Sequence, residues 1–164
     1  MFYKFVKRSF DIIFSILLLI LFIPLWIIVP VLIKADSKGR VIYTQKRAGT
    51  GSRYFTIYKF RSMKEGTPDI PTDKVIDQEM LNTRVGIFLR RFSIDEIPQL
   101  VNILKGDMSF VGPRPETYKY LDVFTEENKK VFSVRPGLTD YASIVFSQEE
   151  KFFINKEYFF KHKI

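Results

Sequence analysis

"IIFSILLLILFIPLWIIVPVLI", Ile12 to Ile33, runs for 22 residues without a charge, interrupted only by Ser15, Pro24 and Pro30. At about 1.5 Å per residue, a straight helix of this length would cover the ~30 Å hydrocarbon core of a bilayer. A signal peptide fits less well, because the run is long and no small-residue cleavage site follows it. Two features speak against a plain span. Lys4, Lys7 and Arg8 precede the run, and Lys34, Lys38, Arg40, Lys46 and Arg47 follow it, so a span would strand one basic cluster on the outer side. Pro24 also falls near the middle, where its missing N–H and its ring interrupt the helical ladder. The halves Ile12 to Ile23 and Leu25 to Ile33 each reach about 14–18 Å at helical rise, roughly half the core. A helix-break-helix that enters and leaves by one face satisfies both observations, and on the residues alone it stands beside the single span. Backbone groups freed at Pro24 would then need Ser15 or nearby backbone, since lipid offers no partner.

The remainder of the 164 residues suffices for one domain with a modest core. Lys and Arg number 26 against 18 Asp and Glu, and the resulting +8 favours anionic partners: nucleic acid, acidic lipid or phosphorylated small molecules. With no Cys, disulfides, thiolate zinc sites and a cysteine nucleophile are excluded. The single histidine, His162, leaves no basis for a Ser-His-Asp triad or a His-rich metal site. Chemistry falls to carboxylates, arginines, lysines and an oxygen-loving cation such as Mg²⁺.

"VIYTQ" (41 to 45) and "YFTIYKF" (54 to 60), separated by the glycine-bearing "KRAGTGSR", read as a β-hairpin. Residues 64 to 76, with Gly66, Pro68 and Pro71, read as a loop, and Gln78 to Arg91 as a helix. Ile97, Leu100, Val101 and Leu104 form an i, i+3, i+4, i+7 stripe that predicts a helix ended by Gly106. Pro98 belongs in its first turn, which sets Asp95 and Glu96 at its N-terminus. "GDMSFVGPRPE" (106 to 116) reads as irregular because of its two prolines and two glycines. Tyr118 to Phe132 reads as helix, "RPGLTD" (135 to 140) as a rigid turn, and the tail from Gln148 mixes aromatics with lysines.

Asp95 and Glu96 admit two readings. Ser93 followed three residues on by Glu96 fits a capping box, and acids in a first turn suit the helix dipole. That explains Glu96 better than Asp95. On a helix, neighbours point about 100° apart, so the pair cannot share a proton but can divide labour. One carboxylate would face a substrate and the other a cation or an acceptor hydroxyl. The surrounding cations favour phosphate chemistry: Arg90 and Arg91 precede the acids, Arg114 lies between Pro113 and Pro115, Arg135 precedes Pro136, and Lys59 and Arg61 leave the hairpin. Guanidinium forks suit phosphate oxygens. A solvated basic surface accounts for Lys34, Lys38 and the tail lysines but poorly for Arg114. Single-stranded nucleic acid is disfavoured by the deep apolar segment.

The stretches "KRSFD" (7 to 11), "QKRAG" (45 to 49), "YKFRSM" (58 to 63), "RRFSIDEIPQLVNILKGDMSFVGPRPE" (90 to 116) and "RPGLTD" (135 to 140) occur in an order that resembles the small monotopic bacterial phosphoglycosyl transferases. The resemblance implies an α+β fold, mainly helical with a small β-hairpin, comprising a re-entrant membrane hairpin over 1–34 and a cytoplasmic catalytic domain over 35–164. It implies that Asp95 attacks the β-phosphorus of a UDP-sugar, that UMP leaves, and that undecaprenyl phosphate takes up the phosphosugar. Glu96 would hold Mg²⁺ or activate the acceptor. Lys59, Arg61, Arg90, Arg114 and Arg135 would serve phosphate and substrate. Lys7, Arg8 and Asp11 would anchor the hairpin, with Pro24 as its break. The implied location is the cytoplasmic face of the bacterial inner membrane. Three departures stand out: Ile23 precedes Pro24 where relatives often carry Ser, "TDYAS" replaces "TGW", and the chain is short at its C-terminal end. The rival readings are a non-catalytic membrane scaffold for glycan assembly and a metal-dependent phosphatase.

Overall fold

The computed structural model describes residues 2–67, 81–117, 125 and 128–140. Two helices open the chain, α1 (Phe2–Leu21) and α2 (Ile23–Asp36), bent by 60° where they meet. The break falls at Phe22 (φ −92°, ψ 11°), and Pro24 sits in the first turn of α2, where its missing N–H is tolerated. The Leu25 and Trp26 amides both donate to Phe22 O, so the backbone around the break is satisfied locally. Ser15, offered above as a partner for those groups, does not serve them. Its hydroxyl is buried and finds no hydrogen bond among the described residues. No single described helix is long and apolar enough to cross a membrane; the bent pair passes that test together, by length and composition only.

The burial of α1 is inverted. Asp11 and Ser15, one turn apart, are its buried residues, while Phe10, Ile13, Leu17, Ile20 and Leu21 are exposed. Asp11 faces inward because Ser109 and the Phe110 amide offer it partners, described below.

The expected hairpin is present. β1 (Ile42–Ala48) pairs antiparallel with β2 (Tyr54–Phe60), Ile42 opposite Phe60 and Ala48 opposite Tyr54. Strand pairing continues through "KRA", so the turn is confined to 49–53, where Gly51 takes φ +68°. Along β2 the period-2 rule puts Phe55, Ile57 and Lys59 on one face and Phe60 on the other. Phe55 and Ile57 bury against Leu100, Ile103 and Met108, with Leu18, Leu19 and Phe22 packed alongside. Phe60 buries against Val29, Ile33 and Leu89. Ile97 touches both clusters and joins them.

The helix expected from Gln78 begins later among the described residues, as α3 (Arg84–Arg91). Asn82 bridges to Met63 and the Thr83 amide donates to Ser62 O, which holds the chain extended there. The Thr83 side chain then caps α3 by accepting from Gly86 N at 2.9 Å. Gly86 lies so close to the Ser62 backbone that any Cβ would collide with it. Residues 78–80 lie outside the described residues, as do most of 64 to 76 and of Tyr118 to Phe132, and the whole tail; of that second helix, Asn128–Ser133 is a 3₁₀ turn.

After a 3₁₀ turn at Ile94–Glu96 comes α4 (Gln99–Lys105), closed by Gly106 at φ +90° as expected. Its buried face differs from the expected stripe. Gln99, Leu100, Asn102 and Ile103 are buried, whereas Val101 and Leu104 are only half-buried. Asn102 turns inward because β2 presents unpaired backbone to it. Its Oδ1 accepts from Tyr58 N at 3.1 Å and its Nδ2 donates to Thr56 O at 2.7 Å. The segments read as irregular or as a turn also pair: β3 (Ser109–Val111) runs parallel to β4 (Gly137–Thr139). Gly112 and Gly137 permit this contact, since a Cβ on either would strike the other strand's backbone. The architecture is α+β, with four helices and two small sheets among the described residues.

Candidate functional site

The polar stripe of α1 meets the far end of α4. Arg8 donates from Nη1 to Ile103 O at 2.6 Å and from Nη2 to Leu104 O at 2.8 Å, satisfying carbonyls that a helix C-terminus leaves open. Asp11 accepts from Ser109 Oγ at 3.0 Å and from Phe110 N at 3.2 Å. Lys7 bonds Ser109 Oγ and Val111 O and lies 3.8 Å from Asp11. These three residues therefore tie α1 to α4 and β3. The exit of α2 is tied as well, since Asp36 Oδ2 accepts from Val85 N at 2.9 Å, in the first turn of α3.

Arg61, expected among the phosphate ligands, is spent on this second anchor. Its Nη1 donates to Lys38 O at 2.6 Å and its Nη2 to Ser37 O and Oγ at 2.9 and 2.7 Å. Those three acceptors leave its fork committed to the chain following α2, and the residue is buried.

Between α3 and α4 lies the carboxylate pair. Ser93 adopts the left-handed conformation (φ +55°), an uncommon state for a residue with a side chain, and turns the chain sharply after α3. Its hydroxyl caps nothing; its amide donates to Arg90 O at 3.1 Å and its carbonyl accepts from Glu96 N at 3.2 Å. The capping-box reading is thereby removed. The Glu96 carboxylate reaches instead to Lys59, with Oε1 2.6 Å from Nζ. Lys59 arrives there because it continues the inward row of Phe55 and Ile57 along β2.

Asp95 is buried, at 7 % exposure. Its pKa is raised above the ordinary carboxylate value, chiefly because burial disfavours the charged form. The Lys59 ammonium and the Arg90 guanidinium pull it down, while the Glu96 charge pushes it further up. Arg90 is steadied by donating to Asn82 Oδ1 at 3.2 Å. The structure therefore gathers Lys59, Arg90, Asp95 and Glu96. Arg135 lies elsewhere, at the opposite end of α4: a Cβ on Gly106 would be 3.4 Å from Arg8 Nη2 and 4.0 Å from Arg135 Nη2. Arg114 is exposed on the loop after β3.

Among the described residues no three carboxylates, histidines or cysteines gather to hold a cation. The available donors are Asp95 and Glu96, and Glu96 already faces Lys59. Such a set suits Mg²⁺, which commonly binds through one or two carboxylates and takes its remaining ligands from water and substrate phosphate.

Sequence reasoning missed Asn102, Ser109 and Asp36 as structural ligands. A lone Asn inside "LVNIL" was the available signal for the first: a polar residue enclosed by apolar neighbours on a short helix must find buried partners.

A profile described as "Bacterial sugar transferase" matches residues 2–163. Among similar proteins, the UDP-N-acetylgalactosamine-undecaprenyl-phosphate N-acetylgalactosaminephosphotransferase of Aeromonas hydrophila is 43% identical over 146 residues, covering 87% of this chain and 34% of that protein. The undecaprenyl-phosphate glucose phosphotransferase of Komagataeibacter xylinus is 41% identical over 151 residues, 88% of this chain and 28% of the other. The UDP-glucose:undecaprenyl-phosphate glucose-1-phosphate transferase of Caulobacter vibrioides is 41% identical over 143 residues, 84% and 53% respectively. The chain thus spans between about a quarter and a half of the length of these relatives. With a profile matched along nearly its whole length, and with its buried carboxylate set among cations, the chain belongs to the bacterial sugar transferase family.

Proposed function

We propose that this chain transfers a phosphosugar from a UDP-sugar to undecaprenyl phosphate through a covalent intermediate on Asp95. The observation that carries the reading is the buried Asp95 carboxylate beside the Lys59–Glu96 pair and Arg90. The relatives' names supply the substrate class.

In the first step an Asp95 oxygen bonds to the β-phosphorus of the donor, the bond from that phosphorus to the bridging oxygen breaks, and UMP departs. In the second, a phosphate oxygen of undecaprenyl phosphate attacks the same phosphorus and the Asp95 carboxylate is regenerated. Lys59 transfers its charge from Glu96 to the donor's phosphates as they arrive, and Arg90 neutralises charge building beside Asp95. Arg114 serves an outlying phosphate of the donor, whereas Arg135 is left out because it lies at the opposite end of α4, and Arg61 because both terminal nitrogens of its fork are committed. Glu96, released by Lys59, would hold Mg²⁺ against the diphosphate; bound there, the ion supplies neutralisation of the leaving phosphate.

A water-soluble donor and a lipid acceptor require an interface. The outward apolar face of α1, and the exposed Ile87 and Phe88 of α3 and Phe92 just after it, set among Arg84 and Arg91, support a location at the cytoplasmic face of the inner membrane, with α1 and α2 as a re-entrant element.

A panel of UDP-sugars, incubated with the protein, undecaprenyl phosphate and Mg²⁺, tests the proposal. One or more sugars should release UMP and yield a lipid-soluble diphosphosugar, with a phosphosugar mass on Asp95 when the lipid is omitted. A scaffold would release no UMP, and a phosphatase would give only water-soluble product; either result overturns the reading.

The pH dependence of adduct formation should follow Asp95. Because the nucleophile must be ionised, the rate rises with pH to a plateau, with a midpoint raised above the ordinary aspartate value. Arg90→Gln removes a charge that lowers the pKa and should move this limb to higher pH. Glu96→Gln removes one that raises it and should move the limb lower. Single-turnover rates across a pH series measure both.

A further inference from the structure

Residues 112–117 carry Arg114, and this loop is held from both sides. On one side the Gly137 amide donates to Pro113 O at 2.9 Å and the Gly112 amide to Thr139 O at 3.1 Å. On the other side lies the hairpin. The Ala48 amide donates to Glu116 O at 2.8 Å, and Arg47 Nη1 donates to Pro115 O at 3.2 Å and to Thr117 Oγ1 at 3.0 Å. Pro113 and Pro115 restrict φ on either flank of Arg114. The carbonyls of both prolines are thus fixed by donors from separate sheets, one from β4 and one from β1. Arg114 itself is exposed, on a backbone that has little freedom.

We infer that Arg47 is a positioning residue for Arg114: its guanidinium, clamped to Pro115 O and Thr117, holds the loop so that the Arg114 guanidinium is presented to the donor diphosphate without an ordering cost. A fork anchored at two acceptors loses less freedom per bond than an ammonium would, which suits a brace. Pre-ordering matters because immobilising a long side chain and its loop on binding costs affinity, roughly 0.5–1.5 kcal/mol per side chain. Arg47 does not touch the ligand; its effect passes through the Pro115 carbonyl. The inference rests on the reading of Arg114 as a phosphate ligand given above.

A double-mutant cycle read by UDP affinity separates the possibilities. Calorimetric Kd values for UDP are measured for the parent, Arg47→Gln, Arg114→Gln and the double variant, with thermal midpoints alongside. Arg47→Gln should weaken binding about tenfold, equivalent to about 1.4 kcal/mol. It should have less than a twofold effect in the Arg114→Gln background. Arg47→Lys, which keeps a donor for Pro115 O, should recover part of the affinity, and it carries the same cycle if the Gln variant does not fold. Equal losses in both backgrounds would show Arg47 acting independently and overturn the inference, as would an Arg47→Gln protein that binds like the parent while Arg114→Gln does not. If Arg114→Gln alone leaves UDP binding unchanged, the phosphate role of Arg114 fails first and takes this inference with it.

Discussion

Asp95→Asn is expected to abolish both UMP release and the covalent adduct, lowering turnover by on the order of 10⁴-fold or more, while making the folded protein more stable. The two effects share one cause. Burial raises the Asp95 pKa, so once ionised the native state carries a carboxylate that would be better solvated in the unfolded chain. The sign follows from linkage. With the folded pKa above the unfolded one, the native state binds more protons across the window between them, and stability falls as pH rises through it. Above that window the full cost persists, and an amide of the same shape removes it. A gain of about 1 kcal/mol is the expected order for relieving such a functional strain. Thermal melts of parent and variant at neutral pH, paired with mass spectrometry after exposure to a turned-over UDP-sugar, check both halves. A variant that still accumulates adduct would move the nucleophile elsewhere.

Asn102→Leu should be the most damaging change outside the carboxylate pair. Asn102 is fully buried, and its amide supplies the partners of Tyr58 N and Thr56 O. Leucine fits the volume but leaves a buried donor and a buried acceptor unmade, each costing about 1–3 kcal/mol. A loss of about 3 kcal/mol, or roughly 10 °C in the thermal midpoint of a protein this size, is expected. Asn102→Asp distinguishes polarity from pairing: it keeps the acceptor for Tyr58 N but turns an oxygen toward Thr56 O, so it should be no better than Leu. Circular-dichroism melts provide the measurement, and a variant that melts like the parent would refute the role.

How much of this was legible depends on the range of the interactions. The hairpin, the interruption near Pro24 and the Gly106 stop were written locally, in β-branched runs, a proline and a glycine. Asp95 and Glu96 announced themselves by adjacency and by the arginines before them. What the local pattern hid was always a long-range backbone partner. Ile97, Leu100, Val101 and Leu104 are spaced as a buried stripe, yet α4 buries Gln99 and Asn102 as well, the latter because β2 offers unpaired peptide groups on that side. Gly112 and Gly137 looked like breakers of structure, although each is small so that β3 and β4 can touch across 25 intervening positions. Arg61 sits in the same motif as Lys59, but it lies just past the end of β2 and reaches the chain following α2 rather than Glu96.

The two anchors of the bent helix pair have a mechanical consequence. α1 is fastened at the C-terminal end of α4 by Arg8, and α2 is fastened at the N-terminal end of α3 by Asp36. The turn bearing Asp95 is the link between those same two helices. The apolar V and the Asp95 carboxylate are consequently parts of one braced frame, and the height of that carboxylate above the apolar surface is a built-in dimension, unaltered when the frame tilts.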